Sequence, residues 1–272
     1  MQPQKIYDFF TYTEEIPPTF GKLHLTVIFL TILTTIILTL TLKNASEKAV
    51  RLTLFGAWII LITLEAYRQI AFSIELVDGQ LGWEYAWDQL SLQICSVQLY
   101  AIPMIVFLKD GKLRDAFICV MMVWSLIGGI GVTLYPGNTL SYYFGVSLQS
   151  MIHHGIQVVL GIALTFRYAD RMNIRHFFRG FVLFNVYTFI AMCANIHVYE
   201  HLLIHVGGGI NMFALSPYGE PLIKVLDTIR DLTSHRVMTF VFLSCLTLLA
   251  IFLYWLEFCF TKGRRKKLKR YN

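Results

Sequence analysis

The chain has 272 residues, of which 56% are apolar and only 15% are charged. Because an ordinary soluble domain carries about 25% charged residues, this composition excludes a disordered chain, a fibrous repeat and a typical soluble enzyme. A mean hydropathy of +0.58 is typical of a protein that crosses a membrane several times. The net charge of +6 is compatible with a nucleic-acid ligand, but the positions of the basic residues favour a membrane surface.

Long apolar runs predict an all-α fold, a polytopic membrane protein with a bundle of seven transmembrane helices. A helix needs about 20 mostly apolar residues to cross the hydrocarbon core, whereas the strands of a membrane barrel alternate over about 10 residues. We predict an extracytoplasmic N-terminal segment at 1–23, a transmembrane domain at 24–260 and a basic cytoplasmic tail at 261–272. The predicted spans are 24–42, 52–73, 88–108, 115–135, 143–167, 177–198 and 237–260.

The basic residues alternate from loop to loop, which predicts the orientation. The loops after the first, third and fifth spans, together with the tail, contain most of the 23 Lys and Arg residues, whereas the loops 74–87 and 136–142 contain none. Because Lys and Arg accumulate on the cytoplasmic side, the N-terminus is predicted to lie outside and the C-terminus inside. The tail then faces anionic lipid, and no nucleic-acid partner is expected.

The segment 199–236 is predicted to be the one long outer loop. Three consecutive glycines at 207–209 are incompatible with a stable helix interior. From Pro221 onward, apolar residues recur at helical spacing, and proline suits the first turn of a helix. This pattern predicts an amphipathic helix on the outer membrane surface, with an ordinary packing helix between spans as the alternative. The apolar positions are Leu222, Leu226, Ile229 and Leu232.

The second span carries Glu65, Arg68 and Gln69 at spacings that place them on one helix face. Ionisable residues within spans are costly and usually face the bundle interior. One interpretation is an internal ion pair that fixes packing. The other is a binding site in which Arg68 contacts a lipid phosphate or carboxylate, because a guanidinium forms paired hydrogen bonds with such anions.

The third and fifth spans contain a cysteine and two adjacent histidines. If both spans are regular helices, Cys95 and His154 lie about 10 and 16 Å from the outer ends, close in depth to Glu65 at about 12 Å. This shared depth is compatible with one pocket. The residues of these two spans assigned to it are Gln93, Cys95, Gln98, Gln149, His153 and His154.

A Cys–His pair in such a pocket supports acyl transfer. The imidazole takes the thiol proton, and the thiolate attacks an ester carbonyl and holds the acyl group as a thioester. Gln93 or Gln98 would donate a hydrogen bond to the oxyanion. No metal is expected, because no third ligand stands at helix-compatible spacing with the histidine pair.

The same residues make the chain similar to the YwaF-type bacterial integral membrane proteins, which are related to transmembrane protein 164, a lipid acyltransferase. That family carries L-P-L-H-L-C in the third span, a His-Gly pair in the fifth, a Glu in the second and N-Y-M-F-L before the last. The resemblance covers most of the chain from the second span to the last. The matching positions are 90–95, His154 with Gly155, Glu65, and 211–215 followed by Pro217 or Pro221.

The resemblance implies a Cys nucleophile and a His base that transfer acyl groups between membrane lipids, here Cys95 and His154. The pairing with Gly155 favours His154, whereas the helix face lined by amides favours His153, which is the alternative. The chain departs from the family at Gln93, which stands where the family has a histidine, and it lacks the tyrosine of N-Y-M-F-L.

The sequence therefore predicts a membrane-embedded lipid acyltransferase or acyl hydrolase in the bacterial plasma membrane, acting without a cofactor on an outer-leaflet phospholipid or glycolipid. One alternative is a transporter or sensor that binds a small ligand in the same pocket, and another is a structural partner in an envelope complex. The lipid donor, the acceptor and the oligomeric state stay open. The predicted substrate-binding residues are Glu65, Arg68, Gln69, Gln93, Gln98, Gln149, Asn195 and Asn211.

Overall fold

A computed structural model describes residues 2–204, 209–219 and 224–268 of the chain. This part of the chain is mainly α-helical, and six of its helices are long and apolar enough to cross a membrane. The protein is therefore an all-α, multi-pass membrane protein, as the sequence predicts. In chain order the helices are α1 (Pro3–Thr11), α2 (Lys22–Leu42), α3 (Glu47–Ser73), α4 (Val97–Phe107), α5 (Lys112–Leu134), α6 (Phe144–Arg167), α7 (Ile174–Leu203), α8 (Lys224–Leu232), α9 (His235–Phe260) and α10 (Lys262–Leu268). The two strands are β1 (Ile74–Val77) and β2 (Gln80–Trp83).

Helix α6 forms the centre of the bundle. Within its most apolar stretch, 72% of α6 is buried inside the protein, against 17% of α2 and of α9. Two glycines allow this close packing: a Cβ at Gly129 of α5 would lie 2.6 Å from Cβ of Gln157, and one at Gly155 would lie 2.7 Å from Oγ1 of Thr31 on α2. Because small residues let membrane helices approach each other closely, these glycines fix α6 against both neighbours.

The predicted third span is not one continuous helix. Residues 90–93 are not helical, a 3₁₀ turn follows at Ile94–Ser96, and the α-helix begins only at Val97. The 14 residues of the apolar helical stretch Ile94–Phe107 cover about 21 Å at 1.5 Å per residue, less than the roughly 30 Å of a hydrocarbon core. The prediction of one continuous helix over 88–108 is therefore wrong, and Cys95 does not lie on a face of the α-helix.

Pro103 lies inside α4. A proline has no backbone N–H, so it leaves the carbonyl four residues earlier without its helical partner. That carbonyl belongs to Leu99, and the indole Nε1 of Trp58 on α3 donates to it at 2.9 Å. The proline is accommodated because the neighbouring helix supplies the missing donor.

One end of the bundle, named here the hairpin end, carries the strands. Helix α3 runs directly into β1, which pairs antiparallel with β2. Asp78 and Gly79 form the turn with φ of 51° and 75°, the left-handed conformation that a two-residue hairpin favours. Helix α1 packs over this end, where the Tyr67 hydroxyl donates to the carbonyl of Phe10 at 3.2 Å.

The helix predicted near residue 221 is present as α8 over Lys224–Leu232. Leu226 is buried, whereas Leu232 is exposed. Pro221, Leu222 and the first two residues of the glycine run lie outside the described residues. The location of α8 on the outer membrane surface stays a prediction.

Candidate functional site

The candidate site surrounds residues 84–96, which lead from β2 into α4 and are named here the approach segment. Apart from two 3₁₀ turns at Trp87–Gln89 and Ile94–Ser96, this segment is irregular. Irregular backbone within a membrane protein needs partners from the protein, because lipid supplies none. Side chains of α3, α4 and α6 meet this need.

Glu65 of α3 is the anchor at one side of the segment. It is only 7% exposed, and its carboxylate accepts hydrogen bonds from Arg68 at 2.7 and 3.2 Å and from Gln69 at 2.8 Å. The Ser91 hydroxyl of the approach segment donates to the same carboxylate. The prediction that Glu65, Arg68 and Gln69 share a helix face is therefore confirmed.

Arg68 and Gln69 also donate hydrogen bonds to Gln89 of the approach segment. The guanidinium of Arg68 donates to the Gln89 side-chain oxygen at 2.9 Å and to its carbonyl at 2.7 Å, and Gln69 donates to the same carbonyl at 2.8 Å. The Tyr100 hydroxyl of α4 donates to the carbonyl of Ser91 at 2.9 Å. Because these donors serve the protein backbone, the geometry favours the packing interpretation of the ion pair over a lipid-phosphate site.

Cys95 lies in the 3₁₀ turn just before the N-terminus of α4 and is partly exposed. Its carbonyl accepts two hydrogen bonds from α6, from His153 Nε2 at 3.0 Å and from Gln157 Nε2 at 2.8 Å. The charges of Arg68 and Glu65 act on its thiol. A helix N-terminus favours negative charge, whereas burial in apolar surroundings opposes ionisation of a thiol, so formation of a thiolate here requires a base.

The two histidines differ in what they contact. Because a carbonyl only accepts, His153 donates from Nε2 to Cys95, which leaves Nδ1 unprotonated in the neutral ring. His154 donates from Nδ1 to the carbonyl of Ser150 at 2.6 Å, so its Nε2 is the unprotonated atom. Both atoms are buried without a hydrogen-bond partner among the described residues. The structure thus places His153, rather than the favoured His154, against Cys95.

The pairing of His154 with Gly155 has a separate explanation. Gly155 is the point where α6 contacts Thr31 of α2, so the His-Gly pattern marks helix packing. Adjacent helical side chains point about 100° apart, which is why only His153 reaches the approach segment. Its ring contact is with the Cys95 carbonyl, and no hydrogen bond joins either imidazole to the thiol.

Three of the predicted binding amides, those of Gln93, Asn195 and Asn211, bind the backbone of the loop at 211–216 and do not line an open pocket. Asn195 of α7 pairs with the backbone of Met212, donating to its carbonyl at 2.9 Å and accepting from its N–H at 2.8 Å. Gln93 accepts from the N–H of Phe213 at 3.1 Å and donates to the carbonyl of Asn211 at 3.3 Å. Gln93 is thus already engaged and is not a free oxyanion donor.

The loop that they hold is strained. Phe213 and Ala214 have φ of 59° and 56°, a left-handed conformation that residues other than glycine rarely adopt. The Asn211 side chain accepts from the N–H of Ser216 at 3.1 Å, which closes the turn. Asn211 therefore stabilises the loop that lies against the approach segment.

The two remaining predicted amides are Gln98 of α4 and Gln149 of α6. Gln98 donates to the backbone carbonyl of His153 at 3.0 Å, so its N–H₂ group is already engaged and is not a free oxyanion donor. Gln149 is buried one helical turn before His153. Sequence reasoning left three contributors out of the site: Gln89, Ser91 and Gln157.

Sequence reasoning also missed a second buried acid, Glu257, although an ionisable residue in an apolar span is itself a signal of a buried polar site. Glu257 of α9 is 7% exposed. Its Oε1 accepts from the Thr165 hydroxyl of α6 at 2.8 Å, and its Oε2 has no hydrogen-bond partner in the described part of the chain. Thr165 lies 12 residues from His153, so this carboxyl is distant from Cys95.

Comparison with known proteins gives one match. A family model described as the TMEM164 family matches residues 19–256. No curated protein and no solved structure matches. Across residues 2–204, 209–219 and 224–268, no three His, Cys, Asp or Glu side chains are placed to hold a metal ion. Because the family model matches most of the chain, from before α2 to near the end of α9, the protein belongs to the TMEM164 family.

Proposed function

We propose that this protein is a membrane lipid acyltransferase or acyl hydrolase with Cys95 as its nucleophile and His153 as its base. The observation that carries the proposal is the contact of His153 Nε2 with the Cys95 carbonyl at 3.0 Å. That contact fixes the tautomer, so Nδ1 is the unprotonated atom of the ring and the one that would accept the thiol proton. The resemblance to a lipid acyltransferase supports the same chemistry.

In the proposed reaction the Cys95 thiol transfers its proton to His153 Nδ1, and the sulfur attacks the carbonyl carbon of a lipid ester. The ester C–O bond then breaks, and the departing alkoxide takes the proton from His153. The acyl group stays on the sulfur as a thioester until the hydroxyl of a second lipid, or water, gives its proton to His153 and attacks the thioester carbonyl. The C–S bond then breaks, and the departing thiolate takes the proton back from His153. The thiol reaches the imidazole by rotating about its Cα–Cβ bond, since catalytic hydrogen bonds often form only with substrate bound.

The proposal also specifies the arrangement in the membrane. The approach segment and α4 together form the third of seven crossings, with the N-terminus outside and the basic tail in the cytoplasm of a bacterial cell. The hairpin end then lies at the outer surface. Cys95 draws its substrate, a phospholipid or glycolipid, from the outer leaflet.

The test is intact-protein mass spectrometry of the protein in nanodiscs that contain diacyl phospholipid. We expect a hydroxylamine-sensitive adduct of fatty-acyl mass on the wild type and none on Cys95→Ala. Cys193→Ala is the matched control, because Cys193 is exposed on α7, and it should keep the adduct. An adduct that survives Cys95→Ala, or a wild type that forms none with phospholipid or glycolipid, contradicts the proposal and favours a transporter or sensor.

The same experiment separates the two histidines. His153→Gln keeps a donor for the Cys95 carbonyl but removes the base, so the adduct should form about 10²–10⁴-fold more slowly. His154→Gln should slow it by less than about tenfold. The opposite order would return the role of base to His154.

A further inference from the structure

Tyr187 of α7 presents a buried hydroxyl whose hydrogen bond is not made. Its phenol oxygen has no hydrogen-bond partner among the residues that the structure describes. Buried polar groups in native proteins are nearly always paired, so an unpaired one points to strain, to catalysis or to a missing ligand. The packing interpretation of the site gives this hydroxyl no role.

The ring of Tyr187 is held firmly beside the approach segment. It packs against Tyr100 of α4, with ring centroids 5.7 Å apart, and against Phe213, with centroids 5.4 Å apart. Tyr100 is itself tied to the carbonyl of Ser91, and the backbone of Phe213 is tied to Gln93. The phenol therefore has little freedom to turn toward another partner.

The hydroxyl lies near the proposed nucleophile. Both aromatic neighbours of the ring are tied by hydrogen bonds to residues two to four positions before Cys95, and the electrostatic interaction of the phenol with the Cys95 thiol agrees with that geometry. The amides first expected to polarise a carbonyl are engaged elsewhere, since Gln93 binds the 211–213 loop and Gln98 binds the carbonyl of His153. Tyr187 is thus a donor near Cys95 that has no acceptor of its own.

We propose that Tyr187 donates a hydrogen bond to the carbonyl oxygen of an ester bound at Cys95. This inference rests on the proposed function and identifies its substrate class as an acyl ester whose carbonyl lies between the thiol and the phenol. As the sulfur–carbon bond forms, the carbonyl π electrons move to the oxygen, and Tyr187 stabilises that oxyanion while keeping its own proton. The oxygen electrons return when the ester C–O bond breaks, so the phenol is unchanged after each turnover.

The experiment compares Tyr187→Phe with the wild type in the acyl-adduct assay and in hydrolysis of a fluorogenic acyl ester. We expect kcat to fall by about 10²–10³-fold, the usual effect of losing one oxyanion donor, with KM changed by less than about threefold. Thermal stability should not fall, because only an unpaired hydroxyl is removed. Tyr135→Phe is the control, since Tyr135 is exposed and its variant should match the wild type.

A second measurement does not depend on turnover. A palmityl trifluoromethyl ketone forms an ionised tetrahedral adduct with a nucleophilic thiolate, and Tyr187→Phe should weaken this binding by about 10²–10³-fold while leaving palmityl alcohol binding unchanged. Equal ketone binding and equal kcat in Tyr187→Phe would overturn this inference and leave the proposed function intact. A wild type that binds the ketone no better than Cys95→Ala would overturn the proposed function, and this inference with it.

Discussion

Glu65→Ala is expected to lower the free energy of unfolding by about 3–5 kcal/mol, the usual effect of removing one partner from a buried ion pair. The variant leaves Arg68 charged in a mostly buried position without its carboxylate. Gln69 and Ser91 also lose their common acceptor. The loss should spread to the approach segment, because Arg68 is oriented for Gln89 by its pair with Glu65.

The measurement is reversible unfolding in mixed micelles titrated with SDS. Glu75→Ala is the surface control, because Glu75 is exposed on β1, and its effect should stay within about 0.5 kcal/mol. The double variant of Glu65→Ala with Arg68→Ala should be more stable than Glu65→Ala alone, since no unpaired charge is left. If the double variant is the less stable one, the hydrogen bonds from Arg68 to Gln89 outweigh the cost of its unpaired charge, which contradicts this prediction.

Glu257→Gln provides the contrasting case of a buried glutamate in a span. Its partner is the Thr165 hydroxyl, and no ion pair to Glu257 occurs in the part of the chain that the structure describes. Glutamine keeps an acceptor for Thr165, so the stability should change by no more than about 1 kcal/mol. A loss as large as that of Glu65→Ala would show that an unseen cation balances Glu257.

The membrane-spanning helices could be predicted because their signal is local. Length and hydropathy alone locate six long helices, and the spacing of Glu65, Arg68 and Gln69 alone places them on one face. These properties depend on 3.6 residues per turn and on bilayer thickness. They need no knowledge of what the helix packs against.

The start of α4 could not be predicted in the same way. Residues 90–96 are apolar enough to belong to a membrane-spanning helix. However, the side chains of Gln69 and His153, which are distant in sequence, donate hydrogen bonds to the backbone of the approach segment. The choice between helix and irregular backbone is therefore made by tertiary hydrogen bonds, which the local pattern does not contain. For the same reason, the sequence could not show that His153 contacts the approach segment and His154 does not.

Arg114→Ala is expected to destabilise the protein by about 3 kcal/mol, at the lower end of the range for breaking a buried pair. Arg114 is the buried centre of the end of the bundle opposite the hairpin end, with 0% exposure. Its guanidinium donates to Glu47 and Asp110 and to the Tyr168 hydroxyl at 3.1 Å. Its Nε donates at 2.8 Å to the carbonyl of Ile105 near the end of α4.

The expected loss of stability on removing Arg114 lies at the lower end of the range because the acidic partners of Arg114 are partly exposed. The side chains of Glu47 and Asp110 are 31% and 59% exposed, so water solvates both after Arg114 is removed. Burial opposes ionisation of Asp110, yet Arg114 and Arg171 together hold its pKa below the ordinary value. Because the folded pKa is lowered, this stabilisation is complete above about pH 5, one unit above the pKa of an unfolded Asp, and is lost as the pH falls through the folded pKa.

Two variants make the test specific, again by unfolding in mixed micelles. Arg114→Lys keeps the charge but not the planar fork of donors, so we expect about half of the loss seen with alanine. Arg175→Ala removes an exposed arginine near the same end and should stay within about 0.5 kcal/mol. If Arg114→Ala is as stable as Arg175→Ala, Arg114 does not join α4 to α5 and α3. The other two guanidinium groups at the Tyr168 ring, those of Arg167 and Arg171, would then hold this end together.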